Sequence, residues 1–262
     1  AMRRALGTGF SIQFLTDEPH IPWELMRPVV DDEARDLLGV THPVARGLQA
    51  YPDRLRPALP ATGEILTIAP DYGRPPGRGL PALPGARHES AMLQQRFAAV
   101  AIRSTARGLL EAFQDRRGVA VRLVHFAGHG KSEVPVDRSR IACEDDDVSV
   151  AQLRNAENRL GENYGTFVVL NACESGAAGD ALADVGGWGE AFAYRKFSGM
   201  IAPLWAVLDR DATAAMERLF TALLHDRTPV GEALRDMRAE LGSLSPTYLS
   251  YVYYGDVHAR FT

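Results

Sequence analysis

Short apolar runs alternate along the chain with longer segments in which apolar residues recur every three or four positions. The short runs are typical of buried strands, and the longer segments are typical of helices that pack on one side. This alternation predicts an α/β fold built around a largely parallel sheet. The predicted strands cover residues 10–15, 64–69, 119–126, 166–170, 199–204 and 248–254, and the predicted helices cover residues 23–38, 89–103, 105–116, 148–160, 188–197, 211–225 and 230–241.

The composition is that of a soluble globular domain. The chain has 262 residues, of which 46% are hydrophobic and 24% charged, so a single domain over residues 1–262 is expected. The net charge of −4 provides no cationic field for a phosphate backbone, so no nucleic-acid contact is predicted. No apolar stretch approaches the ~20 residues that cross a bilayer, and the start lacks the apolar core of a signal peptide. These features predict a cytoplasmic protein without membrane contact.

Two segments interrupt the pattern. Residues 70–84 are rich in proline and glycine, which predicts a surface loop. The acidic residues 144–147 lack the spacing of a calcium loop, so a solvated loop or a helix start is expected rather than a metal site.

Candidate chemistry lies at the ends of two predicted strands, where functional groups gather in open α/β sheets. One strand runs into His129 and Gly130, and the other runs into Cys173. A thiol becomes a strong nucleophile when a nearby imidazole takes its proton, and the oxyanion that follows needs backbone N–H donors. The N–H groups of Gly130 and Cys173 are the expected donors, and glycine beside His129 is expected to let the backbone turn sharply.

Other residues near these strand ends have ordinary structural interpretations. A lone histidine or cysteine at a strand end is more often packed than catalytic, and only the pairing of the two favours chemistry. His125 lies inside a predicted strand and is expected to be structural. Asn171 is expected to be a turn residue. Cys143 precedes Glu144, whose negative charge raises a thiol pKa and makes a poor nucleophile.

The motifs HFAGHG and VVLNACESG together resemble the CHAT family of caspase-like proteins, relatives of separase within the caspase clan. Segments 14–28, 80–90, 199–216 and 248–256 resemble that family in the same order. The resemblance implies a caspase-like, mostly parallel sheet with helices on both faces and a dyad of His129 and Cys173 at its carboxyl edge. It also implies cleavage of polypeptides without a metal or an organic cofactor.

The same resemblance suggests a specificity pocket. In separases a similar strand exit carries an acidic residue that holds the arginine preceding the scissile bond. Here strand 199–204 runs through Trp205 towards Asp209 and Asp211, which implies selection of Arg or Lys by a charge-assisted contact. An aspartate at a helix start is also an ordinary cap, and Trp205 could be either a pocket wall or a core residue.

The residues and the family resemblance together imply a cysteine endopeptidase. The resemblance further implies cleavage after Arg or Lys, as one part of a larger bacterial signalling or defence assembly. A regulatory or sensor domain or subunit is the expected partner besides the polypeptide substrate. Two alternatives stay open at this point. One is a caspase-like scaffold module without turnover, and the other is a thiol acyl transferase that uses the same dyad.

Overall fold

The structure is a computed structural model that describes residues 10–18, 21–73, 78–131, 133, 135–174 and 181–262; the side chains of residues 136, 173, 174 and 181–186 lie outside this description. Within the described residues, ten strands form one sheet in the order β1-β4-β13-β12-β11-β8-β6-β7, with β9 paired to β8 and β10 to β9. The strands of this sheet are β1 Ile12–Thr16, β4 Val44–Leu48, β6 Glu64–Ile68, β7 Val100–Ala101, β8 Val121–Lys131, β9 Arg140–Ala142, β10 Asp147–Ser149, β11 Phe167–Glu174, β12 Gly199–Pro203 and β13 Tyr251–Gly255.

Pairing along the main path is parallel except between β12 and β13, and β9 and β10 form an antiparallel extension beside β8. The predicted α/β class with a largely parallel sheet is therefore confirmed. Two small sheets lie apart from it, and they pair β2 Val29–Val30 with β3 Glu33–Ala34 and β5 Ala58–Leu59 with β14 Arg260–Phe261.

Helices connect the strands. Local signals set several of their ends: Thr105 accepts a hydrogen bond from the N–H of Gly108 (3.1 Å), and Ser149 forms a capping box with Gln152. The described helices are α1 Leu38–Thr41, α2 Pro84–Phe97, α3 Ala106–Phe113, α4 Val150–Arg154, α5 Leu160–Tyr164, α6 Ala181–Tyr194, α7 Asp209–Phe220, α8 Val230–Leu241 and α9 Thr247–Ser250, with a π-helical turn Thr221–His225 after α7.

The sheet has an apolar core on each face, because side chains alternate sides along a strand. On β11, Phe167 and Val169 join a core cluster under α2, α7 and α8, whereas Val168 and Leu170 join a second cluster under α3 to α6. Helices on both faces, as implied by the sequence resemblance, are thus confirmed. Among the described residues, no helix is long and apolar enough to span a membrane.

The predicted helix over residues 23–38 is wrong. The chain there makes a 3₁₀ turn at Trp23–Leu25, then the hairpin of β2 and β3, and only then α1. Asp31 and Asp32 both have positive φ values, 54° and 63°, which is the backbone of a tight two-residue hairpin turn. Pro28 also cannot occupy a helix interior without the loss of a hydrogen bond.

Other predicted elements are present with different bounds. Helix α2 begins at Pro84 and ends at Phe97 rather than covering 89–103. Most of the predicted helix 148–160 is wrong, because it begins in β10, contains only the short α4, and ends where α5 begins. The predicted helix 188–197 corresponds to the second half of α6, and the predicted strand 248–254 begins as α9 before β13.

Strands β8 and β11 each run beyond their predicted ends, from residue 126 to 131 and from residue 170 to 174. His129, Gly130 and Cys173 therefore lie within the strands rather than after them. The extra residues pair with each other, with Asn171 opposite Ala127, which explains why both strands extend together.

Candidate active site

The two candidate residues lie side by side near the carboxyl ends of two adjacent strands in the middle of the sheet. Strands β8 and β11 are parallel neighbours, and the register pairs the Cα atom of Cys173 with that of His129 and the Cα atom of Glu174 with that of Gly130. Neighbouring strands are ~4.8 Å apart, so this pairing brings together two residues that are 44 positions apart in sequence. The side chain of Cys173 lies outside the described residues.

The His129 imidazole is held on one of its two nitrogens. Its side chain is buried, with 4% of the residue exposed, and Nε2 lies 2.8 Å from the carbonyl oxygen of Pro81. Because a carbonyl only accepts hydrogen bonds, Nε2 carries the proton and Nδ1 holds the lone pair of the neutral ring. Nδ1 is buried and has no hydrogen-bond partner within the described part of the chain.

Tyr72 supports the same imidazole from the side. The two ring centroids are 4.6 Å apart at an angle of 52°, and the Tyr72 hydroxyl accepts a hydrogen bond from the backbone N–H of His129 (2.9 Å). That hydroxyl donates in turn to the carbonyl oxygen of Ala142 on β9 (2.7 Å). Burial raises the pKa of Tyr72, so the phenol keeps this proton at neutral pH. Both Tyr72 and Pro81 come from the loop 70–84, which the sequence marked only as a surface connection.

The expected sharp turn at a glycine beside His129 is wrong, because Gly128 and Gly130 both continue the strand; Gly128 is the tighter position. Its lack of a side chain has a different reason. A Cβ atom built on Gly128 would lie 2.5 Å from the Tyr72 hydroxyl oxygen and 2.9 Å from the Phe126 ring. Gly128 therefore makes room for the tyrosine that contacts His129.

A cleft of about 270 Å³ opens beside His129 and Gly130. Its walls also carry charged side chains that pair with one another: Arg78 contacts Asp147 (2.6 Å), and Arg140 contacts Asp147 (3.4 Å). Arg140 also pairs with Glu133, which lies outside the lining. The cleft leaves open space next to His129 and Gly130.

The two predicted pocket aspartates differ in their surroundings. Asp209, half-buried, is the first residue of α7, and its Oδ2 accepts a hydrogen bond from the N–H of Gly85 at the start of α2 (2.7 Å). Asp211 is 5% exposed and binds the Nε of Arg210 (3.1 Å) and the Ser245 hydroxyl. The Ser245 hydrogen bond holds the pKa of Asp211 below its usual range. Trp205 is half-buried and packs against the core cluster under α3 to α6.

Three residues that were judged structural from sequence are also placed. His125 is fully buried and bonded to Thr67 and Glu89, which confirms its structural assignment. Asn171 is not a turn residue, because it is a buried strand residue bonded to the Glu89 carboxylate. Cys143 is buried, and its pKa is raised to about 12 by burial and by nearby Asp145 and Asp147, so it is a poor nucleophile.

Solved structures with the same fold are cysteine proteinases. Gingipain R, an Arg-specific cysteine proteinase, aligns over 96% of this chain and 63% of its own, with 13% identity and a TM-score of 0.56. The complex of the pro- and mature domains of RgpB from Porphyromonas gingivalis aligns over 83% of this chain and 56% of that one, with 14% identity and a TM-score of 0.54. The separase–securin complex of Saccharomyces cerevisiae aligns over 90% of this chain and 14% of that one, with 17% identity and a TM-score of 0.53. The fold is that of the caspase-like cysteine proteases.

The family follows from the sequence match. Residues 21–251 match the model of the CHAT domain, and the chain therefore belongs to the CHAT domain family. No curated protein matches the chain. The chain spans less than two thirds of the gingipain chain and about a seventh of the separase chain.

Proposed function

We propose that this protein is a cysteine endopeptidase in which Cys173 is the nucleophile and His129 is its general base. The observation that carries the proposal is the state of the His129 ring, which has Nε2 bound to Pro81 and a buried Nδ1 without a described partner. A general base must present a lone pair in a fixed direction. The strand register pairs the Cα atoms of Cys173 and His129, which supports the Cys173 thiol as the group that Nδ1 deprotonates.

The reaction then follows from these groups. Nδ1 takes the thiol proton, and the thiolate sulfur attacks the scissile carbonyl carbon. The N–H groups of Gly130 and Cys173 are proposed to bind the oxyanion that forms on the carbonyl oxygen. Nδ1–H then gives its proton to the leaving amine, and water hydrolyses the thioester. The cleft beside Gly130 supports this arrangement, because it leaves room for the chain on which the oxyanion forms.

We further propose that the enzyme cleaves after Arg or Lys, with Asp209 as the selecting charge and Trp205 as a wall of the pocket. Asp209 binds Gly85, four residues after Pro81, so it is tied to the segment that orients His129. The Asp211 carboxylate is already bound by Arg210 and Ser245, which makes it the weaker candidate. Gingipain R, which shares the fold, is Arg-specific, and this supports the proposed preference for a basic residue before the scissile bond.

The proposed setting is a larger bacterial signalling or defence assembly, in which a sensor domain or subunit controls this protease domain. Two structures with the same fold support control by another polypeptide, because separase is in complex with securin and RgpB is in complex with its pro-domain.

A labelling and cleavage experiment tests the proposal. We expect iodoacetamide to modify Cys173 in the native protein, and to modify buried Cys143 only after denaturation. A fluorogenic peptide panel that varies the residue before the scissile bond should be cleaved by wild-type protein and by Cys143→Ala, but not by Cys173→Ala. Native labelling of Cys173 without cleavage of any peptide in the panel would favour acyl transfer, and equal activity of Cys173→Ala would refute the nucleophile.

A further inference from the structure

A hydrogen-bonded chain of five buried polar side chains links neighbouring strands of the sheet through helix α2, a few residues before the candidate dyad. Thr67 Oγ1 lies 3.1 Å from His125 Nδ1, and His125 Nε2 lies 3.0 Å from an oxygen of Glu89. The Asn171 amide nitrogen lies 2.8 and 3.0 Å from the two Glu89 oxygens, and the Tyr251 hydroxyl lies 2.9 Å from the Asn171 carbonyl oxygen. The most exposed of these five residues, Asn171, is 6% exposed, so the chain is closed to solvent.

The contacts of this network centre on the Glu89 carboxyl group. The Tyr251 hydroxyl donates to the Asn171 carbonyl oxygen, so the Asn171 amide nitrogen donates to both Glu89 oxygens. Both oxygens of Glu89 thus accept from Asn171, and His125 Nε2 lies 3.0 Å from one of them. In the tautomer with the proton on Nε2, His125 donates to Glu89, which then has three hydrogen bonds beside an apolar core.

Stability alone does not account for such a group. Burial of a carboxyl group is costly, and well-packed apolar replacements of buried polar or ionic groups are often neutral or stabilising. A closed polar network instead fixes one arrangement of the elements that it joins. Here the carboxylate joins one helix, α2, to two strands.

Those two strands carry the dyad. His125 precedes His129 by four residues on β8, and Asn171 precedes Cys173 by two residues on β11. Glu89 itself follows Pro81, whose carbonyl binds His129, by eight residues. A shift of Glu89 would thus move His129 relative to Cys173 from both sides.

We propose that Glu89 is a positioning residue for the dyad: through His125 and Asn171, its carboxylate sets the alignment of β8 and β11 and so the separation of the imidazole from the thiol. The proposal rests on the proposed function. It assigns Glu89 no contact with substrate, so its loss should act on kcat rather than on KM.

The test reverses the polarity of one hydrogen bond. In Glu89→Gln, an amide nitrogen must face either the Asn171 amide or the His125 N–H, and in Asn171→Asp two carboxylates face each other. In the double variant Glu89→Gln/Asn171→Asp, the glutamine nitrogen donates to the new aspartate, and its oxygen accepts from His125. We expect kcat to fall about 10- to 100-fold in each single variant with KM changed less than about threefold, and to return within about threefold of wild type in the double variant.

The pH dependence of Cys173 labelling provides the second readout. The iodoacetamide rate near pH 6.5 should fall in Glu89→Gln and recover in the double variant, because it reports the alignment of thiol and imidazole. Glu217→Gln, which changes an exposed carboxylate on α7, is the matched control and should leave both readouts unchanged.

Either of two results would overturn the role of Glu89: folded Glu89→Gln with wild-type kcat and labelling, or a folded double variant no better than the singles. If Glu89→Gln does not fold, the double variant decides, and a loss of more than about tenfold in kcat counts against the proposal. Inactive wild-type protein would instead refute the proposed function.

Discussion

Two buried histidines on β8 differ in what surrounds them. His125 has hydrogen-bond partners at both ring nitrogens, Thr67 and Glu89, within the core. His129, on the same side of the strand four residues later, has Nε2 bound but Nδ1 without a described partner. A fully bonded imidazole has no capacity left for chemistry, whereas an oriented ring with one open lone pair has. The comparison separates a structural histidine from a candidate base without reference to its motif.

The largest expected effect on catalysis comes from replacing the histidine that is the candidate base. His129→Ala should lower kcat/KM at least ~1,000-fold, since it removes the base of a catalytic unit, and should change Tm little. His125→Phe should show a different pattern, with a loss of about 3 kcal/mol in unfolding free energy because it removes a hydrogen-bond partner of Glu89, and with a fall in kcat no larger than the roughly 10- to 100-fold expected for Glu89→Gln. Peptide kinetics and chemical denaturation measure the two quantities.

Exposed His258 provides the matched control, and His258→Ala should leave kinetics and stability unchanged. If His125→Phe lost all activity at full stability, or if His129→Ala remained active, the contrast between the two histidines would be wrong.

The second effect concerns the two aspartates of α7: Asp209 accepts one hydrogen bond from a neutral backbone N–H, whereas Asp211 already binds the cationic Arg210. Asp209→Asn should lower kcat/KM for an arginine peptide about 100-fold relative to a citrulline peptide, because the guanidinium loses its charge partner. The asparagine oxygen can still accept from Gly85, so α2 keeps its cap.

Asp211→Asn is the control for this specificity change and should leave the arginine-to-citrulline ratio unchanged. A wild-type preference for Asp or for an uncharged residue would reject the pocket and leave the dyad assignment intact.

A third prediction tests how Tyr72 and Gly128 fit together. Gly128→Ala places a Cβ against the Tyr72 hydroxyl, so it should lower kcat about tenfold by displacing the ring that packs on His129. Tyr72→Phe in the same protein removes the hydroxyl and should recover part of that loss. The double-mutant cycle measures the coupling, and additive effects of the two substitutions would show that the contact does not matter.

The smallest effect is a pH dependence of stability at Asp211. Its pKa in the folded protein lies below the usual value because of the Ser245 hydrogen bond and Arg210, so its contribution is present above the unfolded pKa and is lost as pH falls through the folded pKa. We expect wild type to lose about 1 kcal/mol more than Asp211→Asn on acidification below pH 4. Urea denaturation at pH 6 and pH 3 checks this, and equal losses would contradict it.

The apolar pattern predicted the central strands correctly because buried strands must be apolar on both faces. It missed β4, where Arg46 and Gly47 interrupt the apolar run. Arg46 is nevertheless fully buried, paired with the buried carboxylate of Glu24 and near the hydroxyl of Tyr254. A pattern of single residues cannot reveal that a charged side chain has a partner 22 positions away.

The candidate site also has a part that the sequence predicts and a part that it does not. Its two motifs can be recognised in the sequence, because a histidine and a cysteine among small residues after apolar runs form an unusual local combination. The residues that orient His129 could not be predicted from the sequence. Tyr72 and Pro81 lie in a segment whose composition indicates only a loop, and Glu89 lies in a segment with an ordinary helical pattern. An aromatic residue within a proline-rich loop was the one available signal.

The sequence by itself determined the alternation of strands and helices and the family, and it identified His129 and Cys173 as candidates, because each depends on local pattern and local chemistry. Only the tertiary structure decided that the two residues share a register position, which nitrogen of the His129 ring has a hydrogen-bond partner among the described residues, and that Glu89 joins both of their strands. Those facts depend on contacts between segments far apart in the chain. Burial and hydrogen bonding select such contacts only once the sheet has formed.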